Sequence, residues 1–439
     1  MKLIINVKFH FLILLFIIFS NLFLGWSFQI LSISFIPILY ILMFFLFLNT
    51  KILETLKILN KLKILKIVSA YLLYNFIKLL IDVNKFGIFA FRDATFVLDI
   101  MFFILTVPLL IVDSKYFERI LIFFKYCSYY CVIFIIFWFF KEKLQNLTPY
   151  ITSISGAESN LFFNFSTIST TCMLIAFFSY FFNENKNYKF FVFLFFLFFS
   201  IALSPKRMIY LWLICSLIFL IFINKDNISL FIKLFLIVIL IQFLSIIGFN
   251  LPHPYLDELS FLQFLKLHTL STIPFFNFEN EYQFFENTKS TIDWRLDAWS
   301  STLENVNKNY SSIIFGLPFG SSLTNFVNID GLITREPHNL YLTTYARNGL
   351  LGSFLTVLLH YKIIRVVYLS FIITKKKKLT KYNSFILFII IYLIFIYVGG
   401  GIAASILSVT YFSSLFYIFA GFVFSIYYNI SMQNSDHKL

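Results

Sequence analysis

A histidine and an asparagine stand together at His338-Asn339, directly after Arg335-Glu336-Pro337. Imidazole titrates near neutral pH, so His338 can take a proton from a hydroxyl as a general base. A surface histidine in a loop is the plain alternative. Pro337 suits the first turn of a helix. Nine residues separate Asn339 from Gly349, and Gly352 lies three further on, a spacing that leaves a smooth patch where another helix can approach. Upstream, the stretch Asp293-Trp294-Arg295-Leu296-Asp297-Ala298-Trp299 sets Arg295 and Trp299 four apart, on one face of a helix. Two readings of it stay open. One is an amphipathic helix on a membrane surface, anchored by Trp294 and Trp299. The other is a guanidinium held over a phosphate. A further cation pair, Lys206-Arg207, follows Ser204-Pro205 at the start of an apolar run. Snorkelling to headgroups accounts for it, and so does an anion gripped by a helix N-terminus and a guanidinium.

The elements that must position these residues are membrane helices. The chain has 439 residues, 60% of them hydrophobic, 21% aromatic and only 13% charged, with a mean hydropathy of +0.86. Such a composition cannot clothe a water-soluble domain and reads as an all-α polytopic membrane protein. Apolar runs of membrane-spanning length predict about 12 helices. They fall near 9–26, 30–49, 64–82, 94–112, 119–140, 167–183, 190–204, 207–224, 229–248, 349–373, 383–399 and 403–427. Three regions follow: N-terminal helices over 1–248, one large polar loop over 249–348 that carries the motifs, and C-terminal helices with a short tail over 349–439.

Charge orients the chain. The formal net charge is +14, and the basic residues sit mainly in short loops, where they set topology rather than bind nucleic acid. With the N-terminus cytoplasmic, Lys51, Lys57, Lys61, Lys63, Lys66, Lys115, Arg119 and Lys375 to Lys378 all fall inside, against chiefly Lys85, Arg92, Lys141 and Lys143 outside. Both termini are then cytoplasmic, and the large loop and Arg207 face outward. Residues 51–66 form a basic amphipathic stretch suited to an anionic inner leaflet. The four cysteines lie in apolar runs without metal-ligand spacing, and no nucleotide-binding loop is present. Lys78 and Asp82, four apart, pair on one helix face, while Asp99 within a span keeps an ion path open.

These elements in this order resemble the bacterial O-antigen ligase/polymerase family. The resemblance rests on Arg207 at the start of a middle helix, Arg295 to Trp299 in a large loop, the segment Gly316 to Gly320, and His338-Asn339 followed by Gly349 and Gly352. It spans roughly residues 190–360; Pro205-Lys206 departs from the small residues usual in the family. The resemblance implies a C-type glycosyltransferase fold in the bacterial inner membrane, working at the periplasmic face without a cofactor or essential metal. The implied donor is a glycan on undecaprenyl pyrophosphate. The implied acceptor is a second lipid-linked unit in a polymerase, or lipid A core in a ligase. Membrane lipids and a chain-length regulator are further candidate partners. By the same resemblance His338 is the base, and Arg295 and Arg207 stabilise the leaving pyrophosphate. Arg335, Lys206 and Asn339 contact substrate, while Trp294, Trp299 and Tyr341 stack on sugars. Phe-rich, idiosyncratic spans favour polymerase, with ligase the alternative. A lipid-linked oligosaccharide flippase is a third reading, weakened by the lack of an internal repeat.

Overall fold

The computed structural model describes residues 3–23, 29–30, 33–139, 150–152, 158–160, 165–182, 186–203, 207–224, 228–229, 232–234, 236, 283–326, 335–403, 407 and 410–432. The described chain is all-α apart from two small antiparallel ribbons, Gln29–Ile30 with Ile33–Ser34 and Tyr150–Thr152 with Glu158–Asn160. In chain order the helices begin with α1 (Val7–Phe23), α2 (Phe35–Asn49), α3 (Ile52–Lys61), α4 (Leu65–Phe86), α5 (Ile88–Asp93), α6 (Thr95–Leu98), α7 (Ile100–Val112) and α8 (Lys115–Phe139). There follow α9 (Phe165–Phe182), α10 (Lys186–Leu203), α11 (Arg207–Ile223), α12 (Gln283–Asn307) and α13 (Tyr310–Phe315). The series closes with α14 (Leu340–Lys376), α15 (Thr380–Ile394), a π-helical turn Phe395–Gly399, α16 (Gly400–Ala403) and α17 (Thr410–Met432).

Among the described residues, six helical stretches are long and apolar enough to cross a membrane, and five shorter apolar helices accompany them. Each coincides with an expected span; the span expected at 229–248 lies largely outside the described residues. The interior is aromatic. Phe124 of α8 packs against Phe178 of α9, Phe388 of α15 and Phe419 of α17 at ring-centroid distances of 5.3, 5.4 and 6.0 Å. Offset and edge-on rings of this kind lock helices together by shape where lipid removes any hydrophobic incentive.

Several buried polar groups in the bundle are hydrogen-bonded across helices, as a low-dielectric interior favours. Asp99 accepts hydrogen bonds from Tyr40 at 3.0 Å and from Ser413, which ties α2, α7 and α17 together. Lys78 and Asp82 approach to 3.7 Å on α4 as expected. The amphipathic stretch at 51–66 differs from expectation: α3 ends at Lys61, Lys63 adopts a φ of 55°, and Ile58 and Leu59 are buried in the bundle. Its apolar face therefore packs on protein.

A polar cap sits at one end of the bundle. It consists of α12, α13, the loop 316–326 and the first turns of α14. A satellite core of Val306, Leu323 and Ala346, flanked by Ile313, Leu317 and Tyr345, holds it together. The helix expected to begin at 349 begins at Leu340, and Gly349 (φ 60°, ψ −168°) breaks it into a cap segment and a membrane segment. Only glycine adopts that backbone readily.

Candidate functional site

The site is built on the junction between the cap and α14. Asn339 is the N-cap of α14, and its Oδ1 accepts from the Leu342 backbone N–H at 2.9 Å. Its Nδ2 donates to the Ile402 carbonyl at 3.3 Å. Both ends of this side chain thus serve the fold. The cap is legible in the sequence as an Asn directly before an apolar run. His338 precedes the cap, so it lies just outside the helix rather than in its first turn. It holds a φ of 49°, a left-handed conformation uncommon for side-chain-bearing residues and found where surrounding contacts over-determine the backbone.

Those contacts come from both sides. On one side, the Trp299 indole N–H donates to the Pro337 carbonyl at 2.7 Å. Trp299 lies on the face of α12 that also carries Arg295, Ala298, Thr302 and Val306, with Ala298, Thr302 and Val306 fully buried. The i, i+4 pairing of Arg295 and Trp299 therefore puts Arg295 on the face that grips the His338 loop, near enough for its charge to act on His338, while Leu296 and Asp297 face solvent. On the other side, the Tyr341 hydroxyl donates to the Tyr397 carbonyl in the π-helical turn. Widened hydrogen bonding in a π turn leaves carbonyls available to outside donors. The same turn meets α11: a Cβ at Gly399 would lie 2.9 Å from the Met208 carbonyl and from Trp212 Cβ. The first turn of α11, which begins at Arg207, is in this way seated against the segment that anchors Asn339 and Tyr341.

Electrostatics bias His338 towards its neutral form. Burial among its neighbours lowers its pKa from the ordinary 6.5, and the positive charge of Arg295 lowers it further. The residue nevertheless stays exposed to solvent. A neutral imidazole with solvent access is the form that general-base catalysis uses.

Not every expected residue joins this group. Arg335, expected to contact phosphate or sugar, instead donates from Nη2 to Asp93 at 3.1 Å and to the Gly320 carbonyl at 3.0 Å. Lys206 lies outside the described residues, as do the side chains of Arg207 and Trp294. The glycines act in packing. A Cβ on Gly349 would fall 2.4 Å from the Gly316 nitrogen and from the Ile314 carbonyl oxygen, and one on Gly352 would fall 2.4 Å from the Tyr74 ring. Tyr74 of α4 closes this contact by donating to the Asn348 carbonyl at 2.7 Å and the Phe315 carbonyl at 3.0 Å. Sequence reasoning missed Asp93, Arg347 and the π turn; the run Gly399-Gly400-Gly401 is the sole local signal for the last. Among the described residues, no three His, Cys, Asp or Glu side chains converge as a metal site.

The fold and the site together define a multi-pass membrane protein with a polar cap whose helix α12 bears Arg295 and grips the His338 loop. Residues 190–357 match the family model described as O-antigen ligase, and this stretch takes in Arg207, Arg295, His338 and the Gly349/Gly352 pair. The match meets the resemblance carried by the motifs and supports an enzymatic, glycosyl-transfer role in surface polysaccharide synthesis. No curated protein matches the chain.

Proposed function

We propose that this protein is an O-antigen ligase. In this reading it moves a glycan from undecaprenyl pyrophosphate to a sugar of lipid A core, at the periplasmic face of the bacterial inner membrane, with both termini cytoplasmic. The observation that carries the reading is the hydrogen bond by which α12 grips the His338 loop, from the helix face that also bears Arg295. One face of α12 supplies both the cation and the Trp299 clamp on the His338 loop, inside the segment that matches the family.

The chemistry follows from the two side chains. His338 takes the proton from the acceptor hydroxyl. The freed oxygen attacks the anomeric carbon from the side opposite the pyrophosphate, so the configuration inverts. The bond from that carbon to the pyrophosphate oxygen breaks, and the leaving group keeps the electron pair. Arg295 stabilises that developing charge, and Arg207, carried on α11, joins it. Positioned cations of this kind contribute about 3 to 4 kcal/mol each when aimed at transition-state charge, and a general base contributes about 10²- to 10⁴-fold in rate. Trp294, Tyr341 and the ring face of Trp299 offer surfaces for sugars, and the reaction calls on no metal.

Polymerisation of lipid-linked repeat units is the second reading. It rests on the Phe-rich spans, 64 Phe in all, and the family description displaces it from first place. Deleting the gene and separating the cell's lipopolysaccharide on a gel decides between them. Bare core with accumulated lipid-linked polymer is the expected result. Core bearing a single repeat unit would instead establish the polymerase, and unchanged lipopolysaccharide would refute both.

A further inference from the structure

Asp93 ends the short helix α5, outside the stretch that matches the family, yet three stretches of the cap converge on it. Its Oδ2 accepts from Arg347 Nη2 at 2.8 Å, from Arg335 Nη2 at 3.1 Å and from the Gly320 backbone N–H at 3.0 Å, while Oδ1 accepts from Arg92 Nη2 at 2.8 Å and Nε at 3.0 Å. A carboxylate has about four lone-pair positions, so this one is saturated. It is also enclosed, with a side-chain exposure of 7% against 3% for Arg347. Arg347 extends the network by donating from Nη1 to the Pro318 carbonyl at 2.8 Å. Asp82 adds a second pin from α4, accepting from the Phe319 backbone N–H at 2.7 Å.

The partners of Asp93 bracket His338. Arg335 lies three residues before it and Arg347 nine after it, and Gly320 belongs to the loop whose Leu323 N–H donates to the Arg335 carbonyl at 2.9 Å. We propose that Asp93 is a positioning residue of the site: it holds the chain on both sides of His338 against the α4–α5 hairpin, and so fixes the imidazole relative to Arg295. Arg335 and Arg347 then belong to this latch rather than to the substrate. The inference rests on the glycosyl-transfer reading for its catalytic consequence. Its structural half stands on the contacts alone. Removing the carboxylate leaves a buried guanidinium without its counter-ion, which is the costly way to break such a cluster. The His338 loop, already strained, would relax.

The test compares wild type, Asp93→Asn, Asp93→Glu and a control, Lys381→Ala, purified into lipid nanodiscs. The control alters a distant exposed ion pair with Glu118. Transfer from a lipid-linked glycan donor is measured together with backbone hydrogen exchange. For Asp93→Asn, kcat should fall about 100-fold, the cost of a misplacement of about 1 Å, with donor KM unchanged within about threefold. Exchange should rise about tenfold or more over residues 316–326 and 335–339 while α15 and α17 keep their protection. Asp93→Glu should recover part of both effects, and Lys381→Ala should match wild type. Unchanged exchange in the cap, or faster exchange throughout the bundle, would overturn the latch. A rise in KM with kcat maintained would also overturn it and would return Arg335 to the substrate. If wild type transferred nothing from such donors, the glycosyl-transfer reading would fall, and the exchange pattern would still decide whether Asp93 holds the His338 chain.

Discussion

At His338, burial and the Arg295 cation act in the same direction on one imidazole. Both favour the neutral form, so the folded pKa lies below the ordinary 6.5, and the base is competent throughout the neutral range. The pH dependence follows. Activity that needs neutral His338 rises with pH through the folded pKa and is flat above it, so the acid limb of kcat/KM should lie below the ordinary histidine range. Replacing Arg295 by Gln removes a cation that lowers this pKa. The acid limb should then move to higher pH, besides the loss in rate from weaker leaving-group stabilisation. A limb that stays in place would show that the two side chains do not interact in solution. His338→Ala should lower transfer by about 10²-fold or more while the protein still inserts in the membrane; wild-type glycan in a complemented deletion strain would sink the general-base role. Arg207→Lys and Arg295→Lys keep the charge but lose the planar fork, and wild-type rates in both would rule out a specific pyrophosphate clamp.

At the scale of elements, α12 and the broken helix α14 do the positioning. The bond from Trp299 to Pro337 ties α12 to the chain entering α14, beside the packing of Val306 on Ala346. Trp299→Phe keeps the ring and deletes the donor, at a cost of about 0.5 to 1.5 kcal/mol in stability. Its effect on transfer should be larger than its effect on thermal unfolding, because the bond restrains a residue in a sparsely populated conformation; equal effects would argue for a purely structural contact. Gly349 needs both its φ of 60° and the close approach of Gly316. Gly349→Ala combines a backbone penalty of about 1 to 3 kcal/mol with a clash, and folded protein recovered in detergent should drop sharply, as read by size-exclusion chromatography. The motif residues were legible in the sequence to different depths. Arg295 and Trp299 were placed on one face by a helical period of 3.6 alone. The glycine pair was recognisable as a packing surface, though not which partners it admits. Asn339 was visible as part of a motif, but its capping role is shared between a neighbour three residues on and a carbonyl 63 residues away.

The whole molecule is a bundle with one elaborated end. In the topology proposed above, from positive charge in the short loops, that end faces outside. A membrane-impermeant maleimide should therefore label Lys308→Cys in the cap, an exposed position, in intact spheroplasts. It should label Glu54→Cys on α3 only after the membrane is broken. The reverse pattern would invert the topology and remove the periplasmic site. The bundle also divides the work unevenly: the family segment at 190–357 carries the candidate chemistry, while α4 and α5, which precede it, supply the groups that grip the cap.

Composition alone was enough to require membrane helices, because a chain 60% hydrophobic has no other way to fold in water and lipid. Local periodicity and short motifs then identified Arg207, Arg295 and His338, since spacings of a few residues translate directly into shared helix faces. Tertiary structure decided what surrounds His338 and what grips the cap. Asp93 and Arg347 are 254 residues apart, and no local pattern announces that a carboxylate ending one short helix will meet three guanidiniums. Nor does the sequence of Arg335 distinguish a cation meant for phosphate from one already held by a carboxylate. Charge is a property of the residue, but its counter-ion is a property of the fold.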